Sequence, residues 1–306
     1  MSGVTLTTPI TWGRPSGWGA RRSSMADTKT CAARAGQAPR LDPGAMTGEV
    51  GGGSKGAAPS MAALKSEYRL ALEAGAQALE AALSSLDAKG ALARAAEIYS
   101  GELCAVSSFG AESAVILHMI GQAAPDTPVL FLDTHKLFDE TLDYRDALVE
   151  RLGLTDVRTL TPEPGHLEAD DPDGDLHRRN PDMCCHIRKT LPLIRALSPF
   201  KVWISGRKRH HGGARAALPR VEIQDGKLKL NPLFDWSPER IGAYYEKHDL
   251  PRHPLVARGY PSIGCMPCTA PVDAGDDPRA GRWAGQDKTE CGIHFTPDGK
   301  LVRGAE

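Results

Sequence analysis

ELCAVSSFGAESAVILHMIGQ, residues 102–122, opens as an apolar run, breaks at small polar residues around Gly110, and resumes with helical spacing. The first part reads as a buried strand, the last as a helix, and the join, SSFGAES (107–113), as a tight turn. A strand, a glycine-containing turn and a helix start can together cradle an anion, because backbone N–H groups are free there and the helix dipole adds positive potential. A turn with no ligand would carry the same residues. The stretch has neither the Gly-Lys-Ser/Thr of a P-loop nor the glycine fingerprint of a dinucleotide fold.

Outward from this stretch the pattern alternates. Before it, apolar residues at 64, 68, 72, 79, 83 and 86 form a helical stripe. After it, VLFLDT (129–134), VRTLTP (157–162) and KVWISG (201–206) read as strands, and LFDETLDYRDALVERLG (137–153) as a helix. Alternating strands and helices predict an α/β fold with an open, mostly parallel sheet and helices on both faces. VEIQDGKLKLNP (221–232) predicts a hairpin turning at Asp225-Gly226, and Ser237-Pro238 caps a helix running to about His248. Ligands of such sheets bind beyond the carboxyl ends of the strands, where SSFGAES lies. The predicted organisation is a disordered tail over 1–60, an α/β nucleotide-binding domain over 61–255, and a C-terminal segment over 256–306. The first sixty residues hold eleven Gly and five Pro, which is too little apolar surface to offset chain entropy.

Net charge is −1 over 306 residues, so no global basic field points to nucleic acid or an acidic membrane. There is no apolar run of transmembrane length. Seven cysteines and no signal peptide predict a reducing compartment, the cytoplasm, with metal-binding or catalytic thiols. Cys184 and Cys185 are adjacent, and neighbouring Cα atoms about 3.8 Å apart fall short of the usual disulfide span. Cys265 and Cys268, in GCMPC (264–268), have a common metal-ligand spacing. Four thiolates suit either zinc or an iron–sulfur cluster. Consecutive helical residues diverge by about 100°. Adjacent thiols therefore converge poorly on one zinc ion but can reach separate irons of a [4Fe–4S] cluster. A redox CxxC pair would leave Cys184 and Cys185 unexplained. Cys31 lies in the tail and Cys104 in an apolar strand. Cys291, in KTECGIH (288–294), has Lys288 and His294 nearby and Glu290 opposing them, which makes it the best nucleophile candidate.

SSFGAES, FLDTHKLFDET, NPDMCCHIRKTLPL, GYPSIGCMPCTAP and ECGIH, in that order over roughly residues 95 to 295, resemble the assimilatory adenylyl-sulfate and phosphoadenylyl-sulfate reductases. The resemblance implies a fold similar to the adenine-nucleotide α-hydrolase, or PP-loop, fold. It implies an adenylyl-sulfate reductase that uses thioredoxin, converting adenosine 5′-phosphosulfate (APS) to sulfite and AMP in sulfate assimilation towards cysteine. Cys291 matches the nucleophile that carries a thiosulfonate, and Cys184, Cys185, Cys265 and Cys268 match the cluster ligands. Lys189 matches a lysine between cluster and substrate. Ser107, Ser108, Gly110 and Ser113 match the nucleotide loop, and Arg279 and Arg282 resemble arginines that hold the phosphosulfate. His294 belongs to the same motif as Cys291. In RKRHHGGAR (207–215) Arg209 and Arg215 are kept, while the family's Gln-Ser is replaced. Phe109 stands where ATP-cleaving relatives have glycine, and its bulk is expected to fit a site too small for a triphosphate. The alternatives are a reductase of the 3′-phosphorylated substrate (PAPS), a PP-loop ATP pyrophosphatase, and a zinc-stabilised binding module. Both monomer and homo-oligomer are consistent with the sequence.

Overall fold

The computed structural model describes residues 61–286, 288, 290 and 291, with side chains from residue 65 onward. The tail expected over 1–60 and the candidate His294 lie outside the described residues. The chain enters through α1 (Met61–Leu83) and α2 (Ala88–Ile98), then alternates β1 (Leu103–Ser107), α3 (Ser113–Ala123), β2 (Val129–Leu132), α4 (Asp139–Leu152) and β3 (Val157–Leu160). A crossover of short helices follows: α5 (Pro164–Asp170), α6 (Leu176–Arg179), α7 (Pro181–Cys185), a π-turn over His186–Thr190 and α8 (Leu191–Leu197). Then come β4 (Val202–Ser205), the hairpin β5 (Val221–Gln224) and β6 (Lys227–Leu230), and α9 (Pro238–Lys247).

The sheet order is β3-β2-β1-β4-β6-β5, parallel throughout except for the β5–β6 pair. The hairpin turns at Asp225 (φ 51°) and Gly226 (φ 70°), the paired positive φ values of a tight two-residue turn. Ser237 caps α9 by accepting from the Arg240 amide, with Pro238 at the first helical position. Gly153, left-handed at φ 62°, ends α4.

Because strand side chains alternate, the sheet builds two cores. Leu103, Ala105, Phe131, Ile204 and Leu230 pack with Leu83, Leu92, Leu117 and Ile241 from α1, α2, α3 and α9. The intervening Cys104, Leu130, Leu132 and Trp203 pack on the other face against Leu193 and Leu197 of α8. Both faces are covered, as the alternation predicts. The unpredicted α2 buries mainly alanines (Ala88, Ala91 and Ala95 around Leu92), which leave little hydrophobic periodicity to read. The helices between β3 and β4 are similarly obscured, since Pro164, Pro181 and Pro192 restart the chain every few residues.

Candidate active site

β1 delivers Ser107 and Ser108 to the carboxyl edge of the sheet. The Ser107 hydroxyl accepts from the Phe109 amide (3.1 Å), and Phe109 turns left-handed at φ 47°. Its ring is fully buried and stands edge-on to Phe131, with centroids 5.3 Å apart. The aromatic side chain therefore anchors the loop to the core and does not narrow the site, contrary to the expectation from its bulk. Ser107, Ser108, Gly110 and Ser113 border a cleft of about 330 Å³ at the start of α3.

The opposite wall is cationic. Arg207, Lys208, Arg215, Arg279 and Arg282 border the same cleft, together with His210 and His211. Arg209 does not. At Arg209 the chain enters a 3-10 turn (Arg209–His211), and the side chain lies exposed over Phe234 (4.6 Å to the ring centroid) while donating to the Leu218 carbonyl (2.8 Å). The sequence does not show which cation of RKRHH faces the cleft, because the direction of each side chain is set by what packs beneath the turn. Lys208 and His211 converge on Glu112 of the loop, at 2.7 and 3.1 Å. Burial disfavours the charged carboxyl, yet His211 and Lys208 hold Glu112 well below the usual carboxylate range. Burial pushes His211 down to about 4, so its ring is neutral near pH 7, donating to Glu112 and receiving Arg215 Nη1 at Nδ1 (3.1 Å).

Beside the cleft, Cys184, Cys185, Cys265 and Cys268 border one small cavity with Lys136, Arg188 and Lys189. The scaffold is polar and buried. Arg188 ties Asp171 (2.5 Å) to the Thr134 carbonyl (2.9 Å), the Thr134 hydroxyl meets Cys265 Sγ at 3.2 Å, and the Met266 amide donates to the Lys136 carbonyl (2.7 Å). Burial pushes the free Cys184 thiol up to about 11. These four residues could hold a metal group. A tetrahedral zinc with Zn–S of about 2.3 Å would draw its sulfurs to about 3.8 Å of one another. Among the described residues, the His/Cys/Asp/Glu group whose ligand atoms all lie within 4.8 Å is Glu112, His210 and His211, and no three of the cysteines meet that condition. Lys208 Nζ against Glu112 makes the histidine group a poor cation site.

Cys291 and Glu290 border a further cavity of about 140 Å³, shared with Ser108, Lys189, Arg215, Cys265, Arg279 and Arg282. Arg215, Arg279, Arg282 and Ser108 thus border both this cavity and the nucleotide-sized cleft, whereas Lys189 and Cys265 border both this cavity and the cysteine cavity. The neighbouring Cys291 thiol, together with burial, holds the Cys185 thiol well above its ordinary pKa. Lys189 and Arg282 each interact electrostatically with Cys291. Lys288, expected in that role, donates to Asp182 (2.5 Å) and the Pro181 carbonyl (3.4 Å). Glu290 engages Arg215 in a two-pronged ion pair (2.6 and 2.9 Å) and meets Arg279 at 3.5 Å. Burial opposes its ionisation, but Arg215 and Arg279 hold the Glu290 carboxyl down to about 2. Cys104 is fully buried and its thiol is pushed up to about 12 by burial, the inert state expected of it.

The arrangement brings together every cysteine singled out from 184 onward, the four loop residues, Lys189, Arg215, Arg279 and Arg282. Sequence reasoning missed Glu112, Arg207, Lys208, His210, His211 and the pairing of Glu290. The basic run RKRHH was the one signal for Arg207, Lys208, His210 and His211, and it does not say which side chains face the cleft; Glu112 lies within SSFGAES and carried no signal of its own. No helix among the described residues is long and apolar enough to cross a membrane.

Residues 102–271 match the phosphoadenosine phosphosulfate reductase domain family. The chain is 52% identical over 202 residues to the adenosine 5′-phosphosulfate reductase of Mesorhizobium japonicum, covering 66% of this chain and 80% of that protein. It is 41% identical over 208 residues to the phosphoadenosine 5′-phosphosulfate reductase of Gloeobacter violaceus, covering 66% and 86%. The fold is similar to the crystal structure of the PAPS reductase from Candida auris in a phosphate complex. The TM-score is 0.53 and the identity 24%, over 70% of this chain and 98% of that one.

Proposed function

Because the chain belongs to the phosphoadenosine phosphosulfate reductase family, we propose that it reduces adenosine 5′-phosphosulfate to sulfite and AMP, with Cys291 as nucleophile and thioredoxin as reductant. The observation that carries this is the single cavity shared by Cys291, Ser108, Lys189, Arg215, Arg279 and Arg282 beside the larger cleft. A nucleoside phosphate seated over Ser107–Ser113 has its 5′ end directed to those arginines. Their planar forks match sulfate and phosphate oxygens.

Lys189 and Arg282 stabilise the Cys291 thiolate. Its sulfur attacks the sulfur of the phosphosulfate. The S–O bond to phosphate breaks, its electron pair leaves with AMP, and a Cys–S–SO₃⁻ thiosulfonate remains. The transferring sulfo group carries its charge where Arg215 and Arg279 stand, so these groups stabilise the transition state. A thioredoxin thiolate then attacks Cys291 Sγ, sulfite departs with the S–S electron pair, and the second thioredoxin thiol resolves the mixed disulfide. Cys184, Cys185, Cys265 and Cys268 would hold a [4Fe–4S] cluster, which when bound contributes local charge and rigidity next to Lys189. Free thiols at all six described cysteines fit a reducing cytoplasm, and the family supports a place in sulfate assimilation towards cysteine.

APS is preferred over PAPS as the substrate because the 52% identical relative is an APS reductase, against 41% for the PAPS reductase. The test is sulfite release from APS and from PAPS by anaerobically purified protein with thioredoxin. Cys291→Ser should bind nucleotide and release none. Without thioredoxin, APS should add one SO₃ group, about 80 Da, to the peptide containing Cys291. An adduct on Cys104 or steady turnover by Cys291→Ser refutes the mechanism, and iron analysis decides between cluster and zinc.

A further inference from the structure

Glu290 is the acid among the described residues that borders the Cys291 cavity, and its neighbours there include Lys189, Arg215, Arg279 and Arg282. Its carboxylate is nearly fully enclosed, at 6% side-chain exposure, and is gripped by Arg215 through two parallel N–H bonds with Arg279 alongside. Planar oxygens on a two-pronged guanidinium are the contacts a sulfo or phosphate group makes. We propose that Glu290 is an internal stand-in for the substrate's anion. In the ligand-free protein it fills the subsite that the sulfo group takes, so substrate must exchange with Glu290 and thereby frees the residue next to it, Cys291, to attack. This inference rests on the reductase reading.

Three observations carry it. Arg215 and Arg279 border both the nucleotide-sized cleft and the Cys291 cavity, so an anion passing from one towards the other meets the two cations that Glu290 already holds. The other carboxylates around the cleft are committed elsewhere. Glu112, which borders the cleft, is bound by Lys208 and His211, and Glu222, behind Arg207, by Arg207, Lys229 and Asn231. Glu290 is also adjacent in the chain to the nucleophile, so a side chain that leaves the arginines moves directly beside Cys291. If it stayed, its charge and those of the phosphosulfate would crowd onto the same two guanidinium forks, and like charges at contact distance disfavour binding. Exchange replaces one ion pair by another and leaves no buried arginine unpaired.

The consequence is a ligand affinity masked by an internal competitor, reduced by the fraction of molecules in which Glu290 is undocked. The test uses the cluster-loaded protein titrated calorimetrically with ADP, whose β-phosphate stands in for the sulfo group, and with AMP, which lacks it. Glu290→Gln should bind ADP about tenfold more tightly than wild type, with AMP changed less than about twofold. A merely electrostatic effect would tighten both ligands alike, and a permanent strut would leave ADP unchanged or weaker; either result overturns the exchange. Should Glu290→Gln fold poorly, wild type alone decides. ADP, but not AMP, should accelerate amide hydrogen exchange in the peptide containing Glu290, and slower exchange with ADP refutes the idea. A wild type that shows the ADP effects yet releases no sulfite from APS would remove the reductase reading and leave the exchange standing.

Discussion

Replacing Arg188 by Met should be among the most destabilising single changes beside the cysteine cavity. Arg188 is 5% exposed and Asp171 3%, with the Asp171 side chain itself fully enclosed. One guanidinium nitrogen meets Asp171 at 2.5 Å and another donates to the Thr134 carbonyl at 2.9 Å. Methionine fills much of the volume but leaves a buried carboxylate without its cation, a loss of about 3–5 kcal/mol. The lower end applies, because the Leu176 amide still donates to Asp171 at 2.8 Å. The orphaned Thr134 carbonyl adds about 1 kcal/mol. A total near 4 kcal/mol is a large part of the roughly 5–15 kcal/mol of a native domain. At about 2–4 °C per kcal/mol for a domain of this size, Tm should fall by about 8–16 °C. The double variant Asp171→Asn, Arg188→Met removes the charge and keeps an acceptor for Leu176, so it should recover about half of the loss. Thr134 also touches Cys265, so the iron content of the proposed cluster should fall in Arg188→Met and return in part in the double variant. Thermal and urea unfolding of the three proteins under anaerobic conditions is the assay. A cost below about 1 kcal/mol, or a double variant no better than Arg188→Met, refutes the reasoning.

At Gly264, an added Cβ would come within 2.2 Å of Arg282 Nη2, so Gly264→Ala should displace that guanidinium at small cost in stability; lower kcat for sulfite release at an unchanged melting temperature is expected, and an unchanged kcat counts against Arg282 acting on the reaction. Cys104→Ala should leave turnover and iron content as in wild type, because the thiol is fully enclosed and held protonated; alkylation of native protein at Cys104 would contradict this. His253 is buried, caps the Leu255 amide through Nδ1 and meets Thr141 at 3.1 Å, and burial pushes its pKa down to about 4. The unfolded chain binds the proton first, near pH 6.5, so this contribution is whole above pH 6.5 and is lost as pH falls towards 4. His211 titrates in the same direction, and His253→Gln should therefore roughly halve the fall in stability between pH 6.5 and 5; an identical slope in urea titrations refutes it.

Local patterns carried a large share of the fold and of the site. The strands of 102–108, 129–134 and 201–206 are legible because a buried parallel strand must be continuously apolar, whereas β3, at the sheet edge, exposes Arg158 and Thr159. The Asp225-Gly226 turn, the Ser237-Pro238 cap and the Cys265–Cys268 spacing are legible because each satisfies a constraint within a few residues. Fold class and candidate chemistry follow from such short-range demands. Tertiary structure alone decided the rest. It set the strand order, brought Cys184 and Cys185 against Cys265 and Cys268, turned Arg209 outward over Phe234 while Arg207 and Lys208 face the cleft, and buried Phe109 against Phe131. It also seated Glu290 on Arg215, 75 residues away in the chain. In irregular segments no period ties a side chain's direction to its position. That direction is chosen by the surface that packs against it, and the surface exists only once the sheet has assembled.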